Sequence, residues 1–224
     1  MNKQWHILSP DEALGVLNSR RSGLSEAEAK RRLLQYGPNK LKGKKKTPPI
    51  LVFLRQFLSP LIYVLLAAVI VSVIVEHFID ATVIMGVLLL NAVIGFAQEK
   101  RAQRAMEALI QMAAPKARVR RDGSVKQIPA KEIVPGDILL LESGDKVPAD
   151  AKLIEVHNLK VNEAALTGES MPVGKHTEAV GEEVPMAERK NLVYMGTVVT
   201  YGRATATVVR TGMLTEIGRI ATAV

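Results

Sequence analysis

Cysteine is missing from the 224-residue chain. Its absence excludes a disulfide-bonded scaffold, a metal site built on thiolates and catalysis by a cysteine nucleophile. Histidine is also scarce, and the four residues are scattered along the chain: His6, His77, His157 and His176. Because histidine metal sites usually draw on closely spaced ligands, we predict no metal site of this kind.

Aromatic residues make up 4% of the chain, too few for a surface on which nucleic-acid bases stack. The net charge of +8 is also unevenly distributed. Residues 1–49 carry 11 Lys and Arg against 4 Asp and Glu, residues 50–99 carry 1 against 3, and residues 100–224 carry 18 against 15. Most of the positive excess therefore precedes one apolar stretch, which favours a membrane protein over a nucleic-acid-binding one.

Two long runs without charge predict membrane-spanning helices. Residues 57–75 read FLSPLIYVLLAAVIVSVIV, and residues 81–97 read ATVIMGVLLLNAVIGFA. Each run is close to the roughly 20 residues that a helix needs to cross a bilayer. A pair of buried helices in a soluble protein is the alternative, but neither run has the polar face typical of such helices. We therefore predict a transmembrane helical hairpin.

The flanking charges predict the orientation of this hairpin. Lysine and arginine precede the first run and follow the second, whereas the link between them contains Glu76, His77 and Asp80 but no lysine or arginine. The positive-inside rule places both ends in the cytoplasm and the link outside. We expect an integral protein of the plasma membrane, in which Asn91 of the second run helps helices to pack.

Residues 98–112 follow the second run with the sequence QEKRAQRAMEALIQM, which is rich in helix formers. An apolar stripe continues through this segment at Ala102, Ala105, Met106, Leu109 and Met112. The helix could extend into the cytosol as a stalk, or it could pack on its own domain. The pattern favours neither interpretation.

Capping signals predict two short helices before the apolar runs. Residues 9–12 (SPDE) and 25–28 (SEAE) each place a serine N-cap three residues ahead of a glutamate, and Gly37-Pro38 ends the second helix. Residues 40–49 are a basic linker that we expect near anionic lipid headgroups.

After residue 112 the pattern changes to strands separated by glycine-containing turns. A hairpin is predicted around Asp122-Gly123-Ser124, followed by an apolar strand that ends at residue 141. Further strands are predicted at 151–158 and 159–166, with a last pair joined by a tight turn at Tyr201-Gly202. Residues 175–191 are predicted to be an exposed loop. We expect a compact, mainly β domain of roughly a hundred residues.

Residues 165–173, ALTGESMPV, hold a polar group, Thr167-Gly168-Glu169-Ser170, between apolar neighbours. Gly168 and the later Gly174-Lys175 approximate a phosphate-binding P-loop. Five residues separate the glycines where four are required, however, and His176 stands where Ser or Thr would bind Mg²⁺. A P-loop is therefore rejected, and a plain β-turn remains the alternative to a functional loop.

Four motifs occur in order around the apolar runs: GLSEAEAKRRLLQYGPNKL (23–41), IVPGD (133–137), GDKVPAD (144–150) and LTGES (166–170). Together they resemble the P-type cation-transporting ATPases over essentially the whole chain. The resemblance implies an α+β membrane protein with a transmembrane helical hairpin, short N-terminal helices and a mainly β actuator domain, a distorted jelly-roll. The implied boundaries are 1–49 for the N-terminal segment, 50–112 for the hairpin and stalk, 113–212 for the actuator domain, and 213–224 for the start of a helix leading to a third span.

In this family, ATP phosphorylates an aspartate of a separate domain, and the actuator loop later hydrolyses the acyl phosphate. The resemblance assigns to Glu169 the role of orienting the attacking water. Gly168 would let the backbone approach the phosphate, and the hydroxyls of Thr167 and Ser170 would hold the loop or contact the phosphoryl group.

Two further points concern the shape of the actuator domain. Pro135-Gly136-Asp137 and the segment from Asp145 to Asp150 are expected to form turns rather than perform chemistry. Asn162 departs from the aspartate that the family commonly has at this position, which weakens any statement about how that strand end is anchored.

The family's phosphorylation motif, Asp-Lys-Thr-Gly-Thr, and its nucleotide-binding domain are absent from these residues. We therefore predict no ATPase activity from the chain alone, which binds no cofactor itself. ATP and Mg²⁺ are expected for the full-length pump. Expected partners are the lipid bilayer, the transported cation and the pump's phosphorylation and nucleotide-binding domains.

The apolar and strand sequences look most like the type II, calcium-pump-like branch. Ca²⁺ is accordingly the preferred cation, with Na⁺, K⁺ or H⁺ as alternatives. The final residues, 221–224, fit a helix heading toward a third span, which favours the N-terminal part of a longer pump. The alternative is a stand-alone, membrane-anchored module that binds or regulates a pump without catalysis.

Overall fold

The computed structural model describes residues 4–41, 48–55, 58–112, 115–168 and 171–223. The chain divides into two compact units, one formed by residues 1–42 with 114–224 and the other by residues 43–113. Most of the predicted basic linker lies outside the described residues.

The described residues of the second unit form three helices: α3 (Pro49–Arg55), α4 (Pro60–Ile74) and α5 (Phe78–Met112). Proline at the first position of α4 suits a helix start, since its missing N–H has no partner there in any case. The chain reverses through Glu76, which has a φ of +63°, and α5 packs against α4. α5 is continuous over 35 residues, so the predicted helical extension through residues 98–112 is confirmed.

Only part of the predicted hairpin is confirmed. Within the described residues, one helix is long and apolar enough to cross a membrane, Phe78–Met106, with a mean hydropathy of 2.1. α4 is apolar but has 15 residues, fewer than the run that predicted it. Only 17% of the apolar window of α5 is buried within the chain. Asn91 is exposed within this chain, whereas Leu88 and Ala92 occupy the buried side of α5. Its role in helix packing stays a prediction.

The N-terminal part of the first unit contains α1 (Pro10–Val16) and α2 (Glu26–Tyr36). The predicted capping box of α1 is complete, with Ser9 and Glu12 each accepting a hydrogen bond from the other's backbone N–H. α2 has half of its predicted box. Ser25 accepts from the N–H of Glu28, but the Glu28 carboxylate binds two arginines, Arg31 and Arg32.

The rest of this unit is an antiparallel sheet of seven strands with two further helices. The strands are β1 (Lys116–Arg121), β2 (Ser124–Pro129), β3 (Ile138–Glu142), β4 (Asp150–Asn162), β5 (Val173–Gly174), β6 (Leu192–Val193) and β7 (Val198–Arg210). The helices are α6 (Ala164–Thr167) and α7 (Glu216–Ala223). The strand order is β2-β1-β3-β7-β4-β5, with β6 paired to β4.

The predicted β1–β2 hairpin is confirmed. Its turn residues, Asp122 and Gly123, both have positive φ, at +49° and +74°. This is the conformation that a two-residue hairpin turn requires to match the twist of the strands.

Two other strand predictions are wrong. Residues 150–162 form one strand of 13 residues rather than two, and the predicted tight turn at Tyr201-Gly202 lies inside another 13-residue strand. Gly202 adopts a φ of +79° opposite Asn158, which has a φ of +50°. The pairing register shifts between His157 and Lys160 at this point. The positive-φ residues therefore form a β-bulge, which bends a strand without reversing it.

The main core lies between side chains of the long strands, including Leu139, Leu153, Val161 and Val208. Smaller clusters attach the N-terminal segment to the same sheet. Trp5 packs with Tyr194 and Val209, and Leu14 packs with Ile138 and Ile154. The N-terminal helices and the strands therefore form one structural unit. This unit frames the loop that contains the predicted site.

Candidate functional site

The loop begins where β4 ends, and the short helix α6 forms its first half. Asn162 accepts a hydrogen bond from the N–H of Ala164, at 3.0 Å, through its side-chain oxygen. An aspartate could accept the same hydrogen bond from the N–H two residues later, so the amide at this position preserves this anchoring of the strand end. The backbone oxygen of Glu163 then accepts hydrogen bonds from the N–H groups of Leu166 and Thr167.

Two of the four predicted site residues are described by the structure. The hydroxyl of Thr167 donates to the backbone oxygen of Glu163 at 3.2 Å. Gly168 ends α6 in the left-handed conformation, with a φ of +78°. A Cβ at Gly168 would meet no atom of the described chain within 4 Å, so glycine suits the backbone conformation and leaves an open surface. Glu169 and Ser170 lie outside the described residues.

The chain returns through Met171, whose side chain is 77% exposed, and enters β5. β5 pairs with β4 through Lys160–Gly174 and Val161–Val173. The N–H of Lys175 then donates to the backbone oxygen of Leu159 at 3.0 Å. The outgoing and returning segments are therefore held side by side at the base of the loop.

A buried ion pair also links the two segments. Lys175 Nζ lies 2.5 Å from Glu163 Oε1, and the two side chains are 0% and 1% exposed. The Lys175 ammonium also lies 5.8 Å from the centre of the Tyr194 ring, within range of a cation–π contact. Burial raises the pKa of Glu163 and lowers that of Lys175, and each partner opposes the shift of the other.

The predicted exposure of residues 175–191 is therefore wrong at both ends. Lys175 is buried by its pairing with Glu163, and Asn191 is fully buried. The amide of Asn191 donates to the backbone oxygens of His6 and Glu178. The segment between these ends is mostly exposed, as predicted.

The aspartate of the IVPGD motif, Asp137, makes contacts that stabilise a turn. Asp137 is fully buried and forms a two-pronged ion pair with Arg121, with N···O distances of 2.8 and 2.7 Å. It also accepts a hydrogen bond from the N–H of Val134. These contacts close the turn around Gly136, which has a φ of +93°. The expectation that this motif shapes a turn agrees with these contacts.

The GDKVPAD motif contributes two aspartates with similar roles. Asp145 accepts from the N–H of Glu142 and pairs with Arg118. Asp150 accepts from the N–H groups of Met195 and Glu216, and thereby holds the start of α7. Burial raises the pKa of Asp150 to about 6, although both hydrogen bonds favour its ionised form.

Sequence reasoning missed the contribution of Glu163, Lys175 and Tyr194 to the loop. The sequence pattern assigned no role to Glu163, and it related Lys175 only to a rejected P-loop. The available signal was weak: two opposite charges, one four residues before the polar tetrapeptide and one five residues after it. Among the residues that the structure describes, no three His, Asp or Glu side chains come close enough together to hold a metal ion.

Comparisons with known proteins place these features in a family. Residues 111–224 match the family model of the P-type ATPase actuator domain, and residues 5–72 match that of the cation transporter/ATPase N-terminus. "Calcium-transporting ATPase 1" of Bacillus cereus is 45% identical over 97% of this chain. "Probable cation-transporting ATPase F" of Mycobacterium bovis is 47% identical over 88% of the chain, and "Calcium-transporting ATPase" of Bacillus subtilis is 40% identical over 97%.

The chain spans 25% of the length of the Bacillus cereus relative and 22% of the Mycobacterium bovis one. The two matched regions include the N-terminal helices and the β-sheet with its loop. The actuator model alone covers more than half of the residues. The chain therefore belongs to the P-type ATPase family, with the N-terminal segment of the cation transporters and an actuator domain.

Proposed function

We propose that this chain is the N-terminal part of an ATP-driven cation pump of the type II branch. We further propose that its loop of residues 167–170 hydrolyses the aspartyl-phosphate intermediate of that pump. The observation that carries the proposal is the loop itself, in the domain that matches the actuator model. Its two segments are held together at the base, while Gly168 and Met171 at its described edges are exposed. A loop built in this way can enter the active site of another domain.

In the proposed reaction, the oxygen of a water molecule attacks the phosphorus of the aspartyl phosphate. The bond between phosphorus and the aspartate oxygen breaks, releasing inorganic phosphate and a free carboxylate. Glu169 orients the water and accepts its proton. The open, left-handed backbone at Gly168 leaves room for the phosphate oxygens. ATP and Mg²⁺ bind to domains of the pump outside these residues.

Replacing Glu169 tests this role in the full-length pump. Glu169→Gln keeps the shape of the side chain but cannot accept a proton, so hydrolysis of the phosphoenzyme should slow by about a hundredfold. Formation of the phosphoenzyme from ATP should continue. Glu183→Gln is the matched control, since Glu183 is an exposed glutamate in the segment that follows the loop. An unchanged rate of phosphate release in Glu169→Gln would refute the proposed role.

The transported ion is proposed to be Ca²⁺. The support is indirect: the relatives from Bacillus cereus and Bacillus subtilis are named calcium-transporting ATPases. In the full-length pump, formation of the phosphoenzyme from ATP should require micromolar Ca²⁺. Formation that depends on Na⁺, K⁺ or pH, and not on Ca²⁺, would contradict this choice.

We also propose that α4 and α5 cross the bilayer as a hairpin, with the β-sheet on the cytoplasmic side of a plasma membrane. Large apolar side chains on both helices are exposed, among them Val64, Ile70, Ile74, Val83 and Leu90. Exposure of so much apolar surface is unfavourable in water and is expected in contact with lipid. The distribution of lysine and arginine supports the orientation.

Residues 1–224 contain no cysteine, so a single introduced cysteine is the only one in this part of the protein that a maleimide can label. A cysteine introduced by His77→Cys, in the turn between the helices, should react with a membrane-impermeant maleimide on intact cells. A cysteine introduced by Ser124→Cys, in the exposed turn region of the sheet, should react only after the membrane is opened. The opposite labelling pattern would reverse the orientation, and labelling of both positions on intact cells would refute the hairpin.

A further inference from the structure

The ion pair between Glu163 and Lys175 occupies a specific place in the fold. Glu163 directly follows β4, Lys175 directly follows β5, and the predicted catalytic tetrapeptide lies on the segment between them. Both charged groups are almost completely buried. Any change in their separation would therefore change the spacing of the two ends of the loop.

At the base of the loop, β4 and β5 pair at two positions, Lys160–Gly174 and Val161–Val173. The N–H of Lys175 donates to the backbone oxygen of Leu159 on the side away from the loop. The ion pair crosses this short ladder diagonally, because Glu163 follows β4 on the loop side. Tyr194 packs under the Lys175 ammonium, and Leu166 of α6 packs in the cluster that contains Tyr194. The pair thus connects the loop to the hydrophobic cluster that contains Trp5, Tyr194 and Val209.

Stability alone does not explain a buried ion pair. Desolvation of the two charges offsets most of their attraction, and a pair of apolar side chains of similar size is often as stable. A charged pair differs from an apolar contact because its attraction is strongest at one short separation. Lys175 Nζ and Glu163 Oε1 lie 2.5 Å apart, and the pair joins the start of α6 to the end of β5.

We propose that Glu163 and Lys175 are positioning residues for dephosphorylation. Their ion pair ties the start of α6 to the end of β5, and thereby stabilises the segments on either side of the tetrapeptide relative to each other. This inference rests on the proposed function of the loop. It extends that function by assigning a role to two residues that do not touch the phosphate themselves.

The test measures two steps of the full-length pump separately, which are formation of the phosphoenzyme from ATP and its hydrolysis. Glu163→Gln and Lys175→Met should each slow hydrolysis by about tenfold to a hundredfold, as expected for displacement of a reacting group by about 1 Å. The formation rate should stay within twofold of wild type. The double variant should be no slower than the worse single variant, since both changes remove the same interaction.

Two controls separate positioning from general damage. Glu183→Gln and Lys131→Met remove exposed charges of the same types elsewhere in the same unit, and both variants should hydrolyse the phosphoenzyme at the wild-type rate. The exchanged pair, Glu163→Lys with Lys175→Glu, should recover part of the hydrolysis rate lost in the single variants. Recovery would show that the interaction matters, rather than either side chain alone.

The outcomes distinguish this inference from the proposed function. If Glu169→Gln is slow while Glu163→Gln and Lys175→Met hydrolyse normally, the positioning role is wrong and the role of Glu169 stands. If Glu169→Gln is itself normal, the proposed function is wrong. If the single variants lose formation and hydrolysis to the same degree, the pair serves only the fold and the inference is overturned.

Discussion

Gly202 of β7 lies directly against the backbone of Asn158 in β4. A Cβ on Gly202 would come within 2.4 Å of the backbone oxygens of both His157 and Asn158. These oxygens belong to a neighbouring strand and cannot rotate away, as the end of a flexible side chain could. The bulge between the two longest strands therefore requires glycine for space as well as for its φ of +79°.

Gly202→Ala should consequently destabilise the β unit by about 3 kcal/mol, through overpacking added to the cost of a left-handed backbone. Gly123→Ala is the matched control. Its φ is +74°, but a Cβ there meets nothing within 4 Å, so a loss of about 1 kcal/mol is expected. Urea unfolding followed by the fluorescence of Trp5, the single tryptophan, measures both. Equal losses would show that the close approach does not matter.

The pair of Asp137 and Arg121 gives a second prediction. Asp137→Ala leaves a buried guanidinium without its main partner and removes the acceptor for the N–H of Val134. The expected loss of unfolding free energy is about 3–5 kcal/mol. Asp11→Ala removes an exposed carboxylate that also pairs with an arginine, and should cost less than about 1 kcal/mol. Comparable losses in the two variants would contradict the importance of burial.

Lys152 gives a prediction that depends on pH. Its side chain is fully buried, and within the described chain its Nζ has no hydrogen-bond partner. Burial lowers the pKa of Lys152 from 10.5 to about 8. The folded state therefore binds this proton less tightly than the unfolded state. The charge costs stability below pH 8, and the cost disappears as the pH rises from 8 to 10.5.

Lys152→Met should therefore stabilise the protein at pH 7, by up to about 3 kcal/mol. The advantage over wild type should shrink steadily above pH 8. Lys160→Met, at an exposed position of the same strand, should change stability by less than about 0.5 kcal/mol at either pH. Thermal unfolding at pH 7 and pH 10 gives the comparison. A destabilised Lys152→Met would mean that the ammonium has a partner in solution.

Asn39 ties the N-terminal segment to the sheet unit. Its amide donates to the backbone oxygens of Ala130 and Pro148, at 3.0 and 2.9 Å, and its oxygen accepts from the N–H of Gly212 at 2.8 Å. Asn39→Ala leaves these backbone groups without that partner, and should cost about 3 kcal/mol. Gln35→Ala, which removes an exposed amide nearby, should be nearly neutral. Urea unfolding distinguishes the two.

Local signals were sufficient to predict several elements. The capping box at Ser9, the hairpin at Asp122-Gly123 and the continuous helix through residues 98–112 all depend on residues within one or two turns of one another. Interactions at this range are specified by residue type, so a single sequence reveals them.

Non-local interactions account for the errors. A positive φ at Gly202 fits either a turn or a bulge, and the choice depends on the pairing of β7 with β4, some forty residues earlier in the chain. The Glu163–Lys175 pair was missed for a related reason. Charged residues in a polar stretch are usually exposed, and only the packing of Tyr194 and the sheet shows that these two are buried.

The unbroken helix α5 has a mechanical consequence. Its 35 residues contain no proline, and at about 1.5 Å per residue the helix is roughly 50 Å long. A bilayer's hydrocarbon layer is about 30 Å thick, so some 20 Å of the same rod would project beyond it. Under the proposed topology, a small change of tilt within the lipid would swing the projecting end sideways, since no proline interrupts the helix in between.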